Sequence, residues 1–107
     1  MQFPIRKISF LPASGMALFP FILVKYDSYK KDPYLINHER IHIYQQIELL
    51  VLFFYLFYIL HYLINLVRYR NHHKAYANIV FEREAFSMDH DISYLEKRKI
   101  FSWFKFL

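Results

Sequence analysis

The 107-residue chain has no cysteine, so disulfides and thiolate metal ligands are both excluded. It has one glycine and four prolines, few of the residues that interrupt helices. No internal repeat, linker or low-complexity stretch divides it. Its length suits one domain, residues 1–107, with a small core and no separate substrate domain. What it has in excess is aromatic: 12 Phe, 10 Tyr and one Trp make up 21% of the residues. A mainly α domain packed by large rings, with a small N-terminal β or extended element, is the expected class.

The most informative stretch is Asn37-His38-Glu39-Arg40-Ile41-His42. Asp32 followed by Pro33 is a helix start, with the carboxylate as cap and proline at the first helical position. The spacing predicts a helix from about Pro33 through Glu48. On that helix His38 and His42, four residues apart, share a face and can grip one metal ion, with Glu39 beside them to reach the water it activates. Gln45, three residues on, can hydrogen-bond a ligand or that water.

Two histidines do not complete a catalytic zinc site, which takes three protein ligands and leaves a fourth position open. The candidates downstream are His61, His72, His73, Glu82, Glu84, Asp89, His90, Asp91 and Glu96. Asn78 to Ala85 reads as the start of a second helix with two acids in its first turns. The pattern resembles the gluzincin class of metallopeptidases, in which a later glutamate in an E-x-x-A context completes the H-E-x-x-H helix. Glu82-Arg83-Glu84-Ala85 fits that context. Together with Ile43-Tyr44-Gln45, Tyr62-Leu63 and Ala75-Tyr76, it is similar to a family of short bacterial proteins with zincin-like motifs, over about residues 33 to 90. The resemblance implies a zincin-like domain, Zn2+ held by His38, His42 and Glu82, Glu39 as general base, and a peptide or protein substrate. Phe86 stands where some gluzincins carry an aspartate, which removes a supporting carboxylate and leaves Glu82 and Glu84 both open as ligand.

Met16 to Lys25 is β-branched and aromatic at its end, and Pro20 points to an edge strand. Such an edge near the metal helix can hold an extended substrate. Leu49 to Val67 is long and apolar enough nearly to cross a bilayer. Its Tyr55, Tyr58, Tyr62, Asn65 and Tyr69 nevertheless form a stripe, and Leu52, Leu56, Leu60 and Leu63 are expected to pack inward as the opposite ridge. A crossing would place His42 and Glu82 on opposite sides of the membrane, so the zinc reading instead demands a bend near Gln46 to Leu50.

Net charge is +5, with basic residues at Arg68, Arg70, Lys74, Lys97, Arg98 and Lys99. The last three precede an aromatic terminus, which suits either an anionic membrane surface or a terminal helix docked on the core. No nucleic-acid motif is present. The N-terminal stretch is interrupted by Pro12, Ser14 and Gly15 and does not read as a secretory signal, so a cytoplasmic protein, soluble or peripheral at the inner face of the membrane, is expected. His61 reads as a hydrogen-bonded helix histidine, His72 and His73 as solvated loop residues, and His90 as a transition-state donor within reach of the site. Two other classes fit the same sequence: a non-catalytic membrane-associated binding or scaffold protein, and a single-span protein.

Overall fold

In the computed structural model, which describes residues 3–107, helix α1 runs from Pro33 to Glu48. Its start is the predicted one: the Asp32 carboxylate accepts from the backbone N–H groups of Tyr34 and Leu35, at 3.0 and 3.2 Å. Such a cap contributes about 1 kcal/mol. Four further helices follow: α2 (Leu52–Tyr69), α3 (His72–Ala77), α4 (Val80–Met88) and α5 (Tyr94–Lys97). A short 3-10 turn spans Ser102–Phe106, and the chain is mainly helical with a small N-terminal sheet.

That sheet is β1 (Ile5–Lys7), β2 (Gly15–Leu18) and β3 (Phe21–Val24), in the order β1-β3-β2. The single edge strand expected over Met16 to Lys25 is instead a hairpin. Pro20 lies in its turn, where a fixed φ and a missing N–H cost nothing. β3 is central and parallel to β1, and its Ile22 and Val24 are buried against α1. The edges of the sheet are β1 and β2, and β2 packs on α1.

The expected break after α1 is present. Leu50 and Val51 both have positive φ, 56° and 61°. The Leu52 N–H donates to the Leu50 carbonyl at 2.5 Å, so Val51 is the centre of a tight γ-turn. A positive φ is unfavourable for leucine and more so for β-branched valine, and contacts on both sides of the turn hold it. Gln46 accepts from the Phe19 N–H and donates to the Ala17 carbonyl, both at 2.9 Å. Glu48 takes two bonds from Arg98, at 2.7 and 3.0 Å.

Helix α2 is turned the opposite way from the expected one. Its inner side carries Phe54, Tyr55, Tyr58, His61 and Asn65, while Leu52, Leu56, Leu60 and Leu63 are 73, 56, 51 and 51% exposed. The polar groups of the stripe have specific partners inside: Tyr55 donates to the Ala17 carbonyl at 2.8 Å and Asn65 to the Ala75 carbonyl at 3.2 Å. The leucines have none to gain, and among the described residues no further element covers them.

The C-terminal turn docks Trp103 and Phe106 on Phe54, Ile79, Val80 and Phe81, while Lys97 and Lys99 are not buried. Arg98 does not belong to that basic surface. Its side chain is buried between Glu48 and Glu84.

Candidate metal centre

α1 and α4 pack against each other, and this contact brings His38, His42 and Glu82 together. The Glu82 Oε1 atom lies 3.0 Å from His38 Nε2 and 2.9 Å from His42 Nε2. All three side chains are buried, and one ligand atom from each lies within 4.8 Å of the others, so the group could hold a metal ion.

The remaining ring nitrogens fix the protonation pattern. His38 Nδ1 is 2.9 Å from an Asp89 carboxylate oxygen, and His42 Nδ1 is 2.8 Å from Gln45 Oε1. The Gln45 amide cannot be reversed, because its Nε2 donates to the Phe81 carbonyl at 3.1 Å and to Glu84 at 2.9 Å. Both partners therefore accept, both Nδ1 atoms carry the proton, and in neutral rings both Nε2 atoms are lone pairs. Two nitrogen lone pairs and a carboxylate oxygen converge on one point. Such a set requires a cation, either a proton on a ring or a metal.

The electrostatics agree. Burial opposes an imidazolium at His42, but the Glu82 carboxylate, with Glu39 and Gln45 beside it, raises its pKa to about 9. Burial equally opposes charge on Glu82, and the two histidines nevertheless hold its carboxyl well below the usual range. The second Glu82 oxygen accepts from the Tyr58 hydroxyl at 2.6 Å. Burial, with Glu82 nearby, pushes the hydroxyls of Tyr58 and Tyr76 far above their ordinary value, so both stay proton donors.

Glu39 sits beside this group, on the border of two neighbouring hollows. One, about 310 Å³, is lined by Glu39, His42, Glu82, Tyr55, Tyr58 and Ile59. The other, about 540 Å³, runs past His38, Asp89, His72, His73 and Phe86. Ala13, Gly15, Glu39 and Tyr76 border both. Burial raises the Glu39 carboxyl above its ordinary pKa, with His42 and His38 opposing the rise, so it is poised to take a proton. Gly15 on β2 passes close by: a Cβ there would lie 3.1 Å from Glu39 Oε2.

The other candidates are placed elsewhere. Glu84 is fully buried outside this group, bonded to Gln45 of α1 at 2.9 Å, to Arg98 at 2.6 Å and to Tyr94 at 2.5 Å. Those bonds hold its carboxyl low against the effect of burial. His61 accepts from the Val80 N–H at 3.0 Å and so closes the start of α4, which makes it a structural helix histidine. His72 and His73 are exposed, but they open α3, capped by Asn71, and His72 meets the Tyr62 hydroxyl at 2.8 Å. His90 is exposed and lines neither hollow, because α4 carries it past the site. Asp91 pairs with Lys97 at 2.7 Å, and Glu96 is exposed.

Two groups support the site in roles that the sequence did not suggest, Asp89 having been a candidate ligand. Asp89 takes the supporting role left open at Phe86, and its signal is a place seven residues after Glu82, two helical turns on. Phe86 itself covers the His38 ring, with centroids 4.5 Å apart. Tyr58 was visible only as part of the tyrosine stripe.

The chain matches no family model, no curated protein and no solved structure.

Proposed function

We propose that this protein is a zinc-dependent peptidase on a minimal zincin-like fold, with His38, His42 and Glu82 as ligands. The observation that carries this reading is the convergence of two Nε2 lone pairs and one carboxylate oxygen, with each Nδ1 already committed to Asp89 or Gln45. A nitrogen-nitrogen-oxygen set with a fourth side open to a cleft suits catalytic zinc, and it supports the gluzincin resemblance. Zinc bound there supplies a Lewis acid and acidifies water.

The chain's own groups account for the rest. Glu39 takes a proton from the attacking water and returns it to the leaving amine. Tyr76, held protonated on the border of both hollows, is placed to donate to the oxygen on which negative charge develops. Tyr58 steadies the free oxygen of Glu82. The substrate is an extended peptide lying across Glu39 beside Gly15 and Met16. The β2 edge is closed at Ala17, where Gln46 and Tyr55 already occupy the carbonyl.

Metal analysis of the purified protein, paired with peptide hydrolysis, tests the reading. Wild type holds one zinc per chain, and His38→Ala loses it. Glu39→Gln keeps the metal and loses turnover by at least about 10². Absence of zinc from the wild type sinks the metal reading, and full turnover in Glu39→Gln removes that residue from the chemistry.

A further inference from the structure

We propose that the outer face of α2 lies in the interface of an anionic lipid bilayer, with the helix axis along the membrane plane. α2 is an inside-out amphipathic helix. Its polar-tipped stripe faces the protein, and the four exposed leucines are joined on the outside by Phe53, Phe57, Ile59, Ile64 and Val67, each 44–77% exposed. Nine large apolar side chains on one side of one helix exceed the few hundred Å² (roughly) that a soluble monomer presents as a single patch. Leu50, 74% exposed in the strained turn before α2, extends it at one end. Apart from Arg68 at its border, no side chain on this side can make a hydrogen bond.

The charge pattern selects the occupant. The chain has no Asp or Glu between Glu48 and Glu82, and Arg68 and Arg70 at the C-terminal end of α2 and Lys74 on α3 are exposed. Anionic headgroups pair with Arg68 and Arg70 at the end of α2 and with Lys74 on α3, while acyl chains receive the leucines and phenylalanines. A second copy of the chain would bring more cations and no local acid to meet them. Protein interfaces of comparable size also carry hydrogen bonds, which this face cannot supply.

The orientation follows from the inner stripe. α2 is long and apolar enough to cross a membrane by length and composition. A crossing helix surrounded by lipid would either break the Tyr58–Glu82 and His61–Val80 bonds or drag the buried charges of α4 into hydrocarbon. Lying flat keeps every one of these bonds. It also brings the metal-site hollow to the membrane surface, because Ile59 belongs both to its lining and to the exposed side of α2. The proposal does not depend on the metal, and His38→Ala is expected to leave it intact.

Co-sedimentation of the full chain with vesicles tests it, using phosphatidylcholine alone or mixed with phosphatidylglycerol. The protein is expected to bind the mixed vesicles, and high salt is expected to weaken binding. The double variant Leu56→Glu, Leu63→Glu should lower binding by at least about tenfold with its helical spectrum unchanged, because both positions are outside the core. Arg68→Glu with Arg70→Glu should remove the preference for anionic lipid. The chain has no cysteine, so an environment-sensitive dye on Leu60→Cys reports this face alone, and it should shift to the blue with mixed vesicles while the same dye on Lys30→Cys does not. Failure to bind mixed vesicles overturns the proposal. So does a discrete dimer that Leu56→Glu splits, which makes a second copy the occupant, or resistance to alkaline extraction from membranes, which makes α2 a span.

Discussion

The contact between α1 and α4 and the outer side of α2 contrast in opposite ways with an ordinary globular protein. Between α1 and α4 the chain buries His38, Glu39, His42, Gln45, Glu82 and Glu84, and it bonds all but Glu39 to one another and to Asp89, Tyr58, Tyr94 and Arg98. On α2 it leaves leucine, isoleucine and phenylalanine uncovered. Polarity therefore does not sort inside from outside in this molecule. Partners do: a buried polar group is stable where its hydrogen bonds are complete, and an exposed apolar group points to a surrounding other than bulk water.

The contrast breaks most severely at the buried ion pairs. Arg98→Met strips Glu84 and Glu48 of their shared cation and leaves a fully buried carboxylate beside α1. Unfolding by denaturant should show a loss of about 3–5 kcal/mol, and a loss under 1 kcal/mol would mean that the network is not closed as described. Next is Asp89→Ala, which frees His38 Nδ1. Zinc affinity should fall by about 10- to 100-fold, measured by competition with a chelator. Unchanged affinity would break the assignment of the His38 proton.

Tyr55→Phe removes one of two donors to the Ala17 carbonyl and leaves Gln46 in place, so thermal unfolding should register only about 1 kcal/mol. The smallest effect sharpens the other side of the contrast. Leu63→Ser, on the exposed ridge, should alter stability in vesicle-free buffer by no more than about 0.5 kcal/mol. A core-sized loss there would restore the inward-facing leucines that the sequence suggests.

Local signals carried part of this architecture. Asp32 and Pro33 announce α1, and its length follows from the absence of breakers up to the Gln46–Leu50 region. The H-E-x-x-H spacing needs only a helix to place both imidazoles on one face. The choice between Glu82 and Glu84 was not local. Side chains two residues apart on a helix point about 200° apart, so the two acids cannot both reach the histidines, and only the packing of α4 puts Glu82 on His38 and His42 and leaves Glu84 to Gln45 and Arg98. The turn at Leu50 and Val51 was demanded by the zinc reading but had no local breaker to mark it. It is imposed by Gln46 and Glu48 reaching residues 17, 19 and 98, while the turn residues themselves prefer other conformations. For α2 the periodicity was legible and its sense was not, because a stripe of tyrosines against a ridge of leucines has the same period whichever side faces the core.

The sole glycine of the chain sets how closely strand β2 approaches Glu39. Gly15 does not have positive φ, so its backbone could be adopted by any residue. What it provides is clearance, since a methyl group would stand 3.1 Å from Glu39 Oε2 and 3.2 Å from Leu35. The gap between strand β2 and helix α1 is thus about one methyl group wider than it would be with alanine. Any larger residue would have to push the Glu39 carboxylate or Leu35 aside, so the closeness of strand β2 to the floor of both hollows depends on the one position in the chain that carries no Cβ.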